Sequence, residues 1–241
     1  MYAVINMQLI KEHWTKDDIK EFIEFEKTLK GNQKEIEFEQ RIVLTKLPCY
    51  GKASSKAKEI YRQIKKGNYL EFIQNMEITS HFDTILLDLL IANIKDFNEF
   101  KNQLIKLIKQ YDNWASCDSL SFKKRPHNKL LTLSNSLIKS KKTFVRRVGV
   151  LIHFELINDA KYLDNAFKLL DSLSEEKEYY VNMCAAWLLC ECFAKYRNET
   201  LAYFKSNKTN TFIVNKAISK CVDSYRVSLD DKALLKALRH K

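Results

Sequence analysis

Apolar residues recur at three- and four-residue spacing along nearly the whole chain, the signature of amphipathic helices. Thr15 stands ahead of Ile19, Phe22, Ile23, Phe25 and Leu29, and Asp18 is placed to complete a capping box. The pattern resumes over residues 35–44, until Pro48, Tyr50 and Gly51 break it. Ser54 and Ser55 open a helix through Ile60 and Ile64 that Gly67 closes. Ser80 can cap the apolar run 82–94, and Leu104, Leu107 and Ile108 mark the next helix. Pro126 sits where a first-turn proline belongs, ahead of Leu130, Leu131 and Leu133. Thr143 precedes a helix over 144–157, followed by segments at 162–173 and 179–193 and shorter ones at 201–204, 212–222 and 230–238.

The 241 residues include only 4 Gly and 2 Pro, too few turn formers for an α/β or all-β protein of this length. The fold class is therefore all-α. Helix pairs joined by short loops, without a heptad seam or a linker, predict one domain over residues 1–241. Its expected form is a HEAT-like or armadillo-type helical-repeat array, a curved solenoid. Asp118, Arg147 and Trp187 fall 29 and 40 residues apart, near the period of about 40 that such repeats use.

No apolar run reaches the length of about 18 residues needed to cross a membrane, and MYAVINMQLIKEHW lacks the basic start and cleavage site of a signal peptide. The expected location is cytoplasmic. The six cysteines lie among apolar neighbours without close pairing, and the five histidines have no ligand spacing. Reduced, buried thiols are expected, with neither metal nor cofactor. A glycine-rich phosphate loop and a GxSxG elbow are missing as well.

Charge sharpens the picture because it is unevenly spread. Residues 101–150 hold twelve Lys and Arg against two acids, Asp112 and Asp118, a local +10 in a chain of +11. A confined basic block is the footprint expected for a phosphate backbone. Lys109, Lys123, Lys124, Arg125, Lys141, Lys142, Arg146 and Arg147 are the candidate DNA contacts. The plainer alternative is a solvated lysine-rich surface, though that would spread the lysines more evenly.

Three segments could carry chemistry. In YDNWASCDS, helical spacing stacks Trp114 and Asp118 on one face, either as a packing Trp with a salt-bridging Asp or as a site for something cationic. Arg147, in TFVRRVGVLIHFEL, shares a stripe with Phe144 and Leu151. Its guanidinium needs a carboxylate such as Asp118, or a phosphate, unless it snorkels to water. Trp187, in YYVNMCAAWLLCECF, shares its stripe with Tyr180, Met183, Cys184 and Cys190, a composition that alone reads as core.

Together DNWASCDS, FVRRVGVLIHFEL, YYVNMCAAWLLCECFAKY and NKAISKCVDSYRVSLDDKALL resemble the AlkD-like DNA alkylation repair family of HEAT-like-repeat glycosylases, from about Phe72 onward. The family's Trp-x-x-x-Asp pair falls on Trp114 and Asp118, its arginine on Arg147 and its second site tryptophan on Trp187. The resemblance implies a monomeric enzyme that excises cationic N3- and N7-alkylpurines from double-stranded DNA without base flipping. On that reading the tryptophans face the charged base, Asp118 opposes the developing oxocarbenium charge, and Arg147 holds a phosphate. Two departures stand out: Ser55 replaces a proline in Tyr50–Ser55, and Asn113 precedes Trp114 where some members carry a second Trp. A non-catalytic binder of damaged or branched DNA is the second reading, and a HEAT-type protein scaffold the third.

Overall fold

The structure, a computed structural model, describes residues 7–51 and 53–240. Residues 1–6, where a signal peptide would begin, and Lys52 of the Tyr50–Ser55 segment lie outside them. Among the described residues every regular element is helical, and the helices group into two compact units, residues 1–123 and 124–241.

The first unit contains α1 (Lys16–Lys27), α2 (Gln33–Val43), α3 (Ala53–Ile64), α4 (Tyr69–Asn75), α5 (His81–Ile91), α6 (Phe97–Ile108) and α7 (Trp114–Asp118). Local sequence sets the helix starts. Thr15, Asn32 and Ser80 each accept a backbone N–H three residues on, and Asp18, Glu35 and Asp83 return the bond to complete capping boxes. Gly51 turns with φ +69°, a conformation that costs glycine nothing, and its N–H donates to Glu39 Oε2 at 2.6 Å. The apolar face of α1 closes on fully buried Trp14, Phe22 and Phe72, whose rings meet edge-to-face at 4.8 and 5.0 Å across Phe72. Helix α5 is the hub. Ten of its eleven residues are buried, and it packs on α3, α4, α6 and α7.

The second unit contains α8 (His127–Leu137), α9 (Thr143–Leu156), a 3-10 turn (Ala160–Tyr162), α10 (Leu163–Ser172), α11 (Tyr179–Lys195), α12 (Arg197–Ser206), α13 (Thr211–Asp223) and α14 (Leu229–Ala237). Here the repeat is regular: α9, α11 and α13 stand side by side as an inner row. Phe144 meets Tyr180 and Phe154 meets Trp187, so α9 and α11 run in the same direction. Tyr179 meeting Phe212 aligns the starts of α11 and α13. Helices α10, α12 and α14 cover the row as the outer partners, the arrangement of stacked helical repeats. Gly149 lets α9 approach α8, since a Cβ there would come within 3.2 Å of the Ile138 backbone nitrogen.

Several expectations shift in detail. The inner helices start at 143, 179 and 211, steps of 36 and 32 residues rather than about 40. Helix α4 had no sequence signal, because seven residues are too few to show a period. Helix α12 extends well beyond the apolar core 201–204 from which it was read. Pro126 is the N-cap of α8, one position ahead of its first turn.

Candidate functional site

Trp114 and Asp118 form the two ends of α7, a single turn that needs support from outside itself. Buried Asn113 caps it: Oδ1 accepts from Ser116 N at 2.8 Å, and Nδ2 donates to Asp112 Oδ1 and Ser116 Oγ at 3.0 Å. That capping role accounts for the asparagine beside Trp114. Helix α5 supplies the rest. Its Thr84 hydroxyl lies 2.8 Å from Ser116 Oγ, and buried Asp88 accepts from Tyr111 on one side of α7 and from Ser119 on the other. Burial pushes the Asp88 carboxyl well up, against these two hydrogen bonds.

Asp112 ties the same segment to the loop after α2, accepting from Thr45 Oγ1 at 2.6 Å and Lys46 N at 2.7 Å. Burial works to raise Asp112, but its hydrogen bonds from Thr45, Asn113 and Lys46 outweigh it and leave the carboxyl below its usual range. On this frame Trp114 and Asp118 are both half-buried. Trp114 Nε1 donates to Ile42 O at 3.1 Å, in the last turn of α2 where carbonyls lack intrahelical partners. Beside them, Ala115 and Ser119 line a cleft of about 850 Å³ with Phe38, Ile42, His81 and Ile85.

Arg147 and Trp187 lie in the second unit, on neighbouring helices α9 and α11. Arg147 does not snorkel: it is 5% exposed, and its Nη1 donates to Tyr180 O at 2.6 Å in the first turn of α11. Trp187 departs from its reading as core. It is 37% exposed in a stretch, 184–190, where every other residue is buried. Phe154 supports one side of it at 4.6 Å, and Nε1 donates to Glu191, which Arg226 holds in a bidentate pair.

The basic residues divide into two kinds. Lys109, Lys123, Lys124, Lys141 and Lys142 are exposed, the last two directly ahead of α9. Arg125 and Arg146 are withdrawn. Arg146 grips Glu176 through Nε and Nη2 at 2.7 and 3.0 Å and donates through Nη1 to Ser140 O at 2.9 Å, joining α9 to the loop before α11. The basic block 101–150 straddles the boundary between the units, but most of its excess charge falls in the second. The first has nineteen basic and eighteen acidic residues, a net +1; the second has twenty-two and twelve, a net +10.

Among the described residues one group, Glu39, Cys49 and His81, brings metal-type ligands together. Glu39 is already engaged by His81 Nδ1 at 2.8 Å and by the Gly51 N–H, and burial beside Glu39 and Asp112 pushes the Cys49 thiol up to about 12. His81 Nε2, by contrast, is buried without a hydrogen-bond partner. All six cysteines are buried as free thiols, and no helix of the described residues is long and apolar enough to cross a membrane.

Trp114 and Asp118 thus stand on a braced turn of the first unit, and Arg147 and exposed Trp187 on neighbouring helices of the second. The model of the family described as DNA alkylation repair enzymes matches residues 25–221, most of the chain, and the chain belongs to that family. The match begins well ahead of Phe72 and takes in both compact units. It supports a role in the repair of alkylated DNA. No curated protein and no solved structure matches the chain.

Proposed function

We propose that the protein is a DNA glycosylase that hydrolyses the N-glycosidic bond of cationic N3- and N7-alkylated purines in duplex DNA, without base flipping. One observation carries the reading: Trp114 and Asp118 stand one turn apart on a rigidly braced helix, both with part of the side chain in solvent. Alkylation at a ring nitrogen makes the base cationic and a better leaving group. As the bond breaks, positive charge gathers on the deoxyribose. The faces of Trp114 and Trp187 favour the charged base by cation–π attraction, and the Asp118 carboxylate opposes the oxocarbenium charge and orients the attacking water. Arg147 places a backbone phosphate, with exposed Lys109, Lys123, Lys124, Lys141 and Lys142 as the surrounding basic contacts, and Arg146 braces the loop that carries Lys141 and Lys142 through its bond to Ser140 O.

These roles need no cofactor, and the protein acts as a monomer in the cytoplasm, at the nucleoid. The decisive experiment is incubation with methylated duplex DNA followed by chromatography of released bases. Release of N3-methyladenine or N7-methylguanine is the expected result. Tight binding of the same DNA without release would favour the non-catalytic binder, for which the basic second unit supplies the motive.

A further inference from the structure

The starts of α9, α11 and α13 carry aromatic rings that the proposed excision site does not use. Phe144 is the second residue of α9, Tyr179 and Tyr180 are the first two of α11, and Phe212 is the second of α13. The rings touch in series, with centroids 5.4 Å apart for Phe144–Tyr180, 5.4 Å for Tyr179–Tyr180 and 6.1 Å for Tyr179–Phe212. Tyr179 is 56% exposed and Phe212 43%. Large rings left together in solvent are a cost to the free protein that a bound partner would relieve.

The surroundings select the ligand. On the α9 side, exposed Lys141 and Lys142 precede Phe144, and no carboxylate occurs between Asp118 and Glu155. On the α13 side, Lys208 and Lys216 flank Phe212, and no carboxylate occurs between Glu199 and Asp223. The loop before α11 is the acidic exception, with Glu175, Glu176 and Glu178 around Lys177, but Glu176 is held by Arg146. Neither α9 nor α11 has a side-chain N-cap hydrogen bond, and the positive end of each helix dipole favours a phosphate at these starts.

We propose that this aromatic row binds single-stranded DNA, with unpaired bases stacked on Tyr179 and Phe212 and phosphates beside Lys141, Lys142, Lys208 and Lys216. In a duplex the base faces are covered by each other, and exposed rings would have nothing to stack on. Unpaired bases present both faces, and base–aromatic stacking is tolerant of sequence. The inference rests on the reading of the chain as a DNA-repair protein, but it does not require excision.

The test is fluorescence anisotropy of the full chain with a labelled oligothymidylate of about twelve nucleotides, a length within the usual site sizes. The double variant Tyr179→Leu/Phe212→Leu keeps apolar bulk but removes the ring faces, and melting curves check its fold. It should bind the oligonucleotide about tenfold or more weakly, while Tyr179→Trp/Phe212→Trp binds as well as the wild type or better. Unchanged binding by the leucine variant would overturn the proposal, as would a wild type that does not bind the oligonucleotide. Concentration-dependent self-association by the wild type, abolished in the leucine variant while strand binding persists, would reassign the row to contact between copies. Base release from methylated duplex is scored separately. Its failure with strand binding intact would sink the glycosylase reading alone.

Discussion

In residues 1–123 the deeply buried acids outnumber every other buried ionisable group: Glu26, Asp83 and Asp88 are at most 1% exposed, with His81 at 2%. In residues 124–241 the counterparts are chiefly bases, with Arg147 at 5% and His153 at 1%, beside Arg125 at 9% and Asp231 at 8%. The first unit turns carboxylates inward to brace loops, as Asp88 brackets α7 and Asp83 closes a capping box. The second is held by regular stacking of apolar helices and leaves its lysines outside, where they give +10. Similar helical material thus serves two purposes. One unit holds a short helix rigid, and the other carries most of the net positive charge.

If the second unit supplies the phosphate contacts, duplex binding should fall about a thousandfold between roughly 50 and 200 mM salt, as six or more neutralised phosphates require. Replacing Lys124, Lys141 and Lys142 by Glu should reduce that salt slope. The same reversal at Lys16, Lys20 and Lys27 of the first unit should leave it nearly unchanged. A titration in which both triple variants lose equal affinity would erase the distinction between the units.

The next largest effect is expected at the braced helix. Asp118→Asn keeps size and hydrogen bonding but removes the charge that opposes an oxocarbenium-like transition state. Single-turnover release of N3-methyladenine should slow by about a hundredfold or more. Affinity for undamaged duplex should hold or rise slightly, since a charge repelling phosphate has gone. Wild-type rates in the variant would remove Asp118 from the chemistry, and a large drop in melting temperature would mark it as a structural partner instead.

Much of the fold was legible because it is local. The Thr15–Asp18 capping box, the Ser80 cap and the run 144–157 are decided by residues within a turn or two of each other. The site was legible only as a set of residues. Asp88 reaches Tyr111 and Ser119 across 23 and 31 positions, and nothing in the local pattern announces the link. Arg147 found a backbone carbonyl, a partner that every residue possesses and no sequence marks. Trp187 looked like core because its own helix is largely apolar; its exposure is set by how α11 packs between α9 and α13, which its local sequence does not reveal.

The contrast in buried groups extends to pH. The Ser134 hydroxyl donates to Gly149 O at 2.7 Å, so it can only accept from His153 Nε2 at 3.1 Å. His153 is therefore the Nε2–H tautomer, and its Nδ1 is buried without a partner. Burial lowers its pKa from 6.5 to about 4. The unfolded chain takes up the proton first, so this contribution to stability is complete above pH 6.5 and is lost as pH falls towards 4. The loss amounts to roughly 3 kcal/mol. In His153→Gln, urea unfolding of the full chain should show a flatter acid limb over that window. An unaltered limb would mean that His153 is not the group responsible.

The smallest effect runs in the opposite direction and belongs to the first unit. Glu26 Oε1 accepts from Tyr50 OH at 3.1 Å and Ser80 Oγ at 3.3 Å, while its Oε2 and the Asp83 Oδ1 are both buried without a donor. Two carboxylate oxygens left together in a dry interior repel, and one proton between them converts the repulsion into a hydrogen bond. Burial, aided by Asp83, pushes Glu26 well above its usual range, so the folded state keeps this proton. A raised carboxyl contributes fully below its unfolded pKa of 4.5, and that contribution is lost as pH rises. Glu26→Gln supplies the donor permanently while its amide oxygen still accepts from Tyr50 and Ser80. At pH 8 the variant should be more stable than the wild type, and the advantage should shrink as the pH falls towards 5. Glu26→Ala, which leaves Tyr50, Ser80 and a cavity unsatisfied, should instead destabilise at both. Melting curves of the three proteins at the two pH values decide the matter: a glutamine variant that is less stable than the wild type at pH 8 would show that Glu26 is held as a carboxylate.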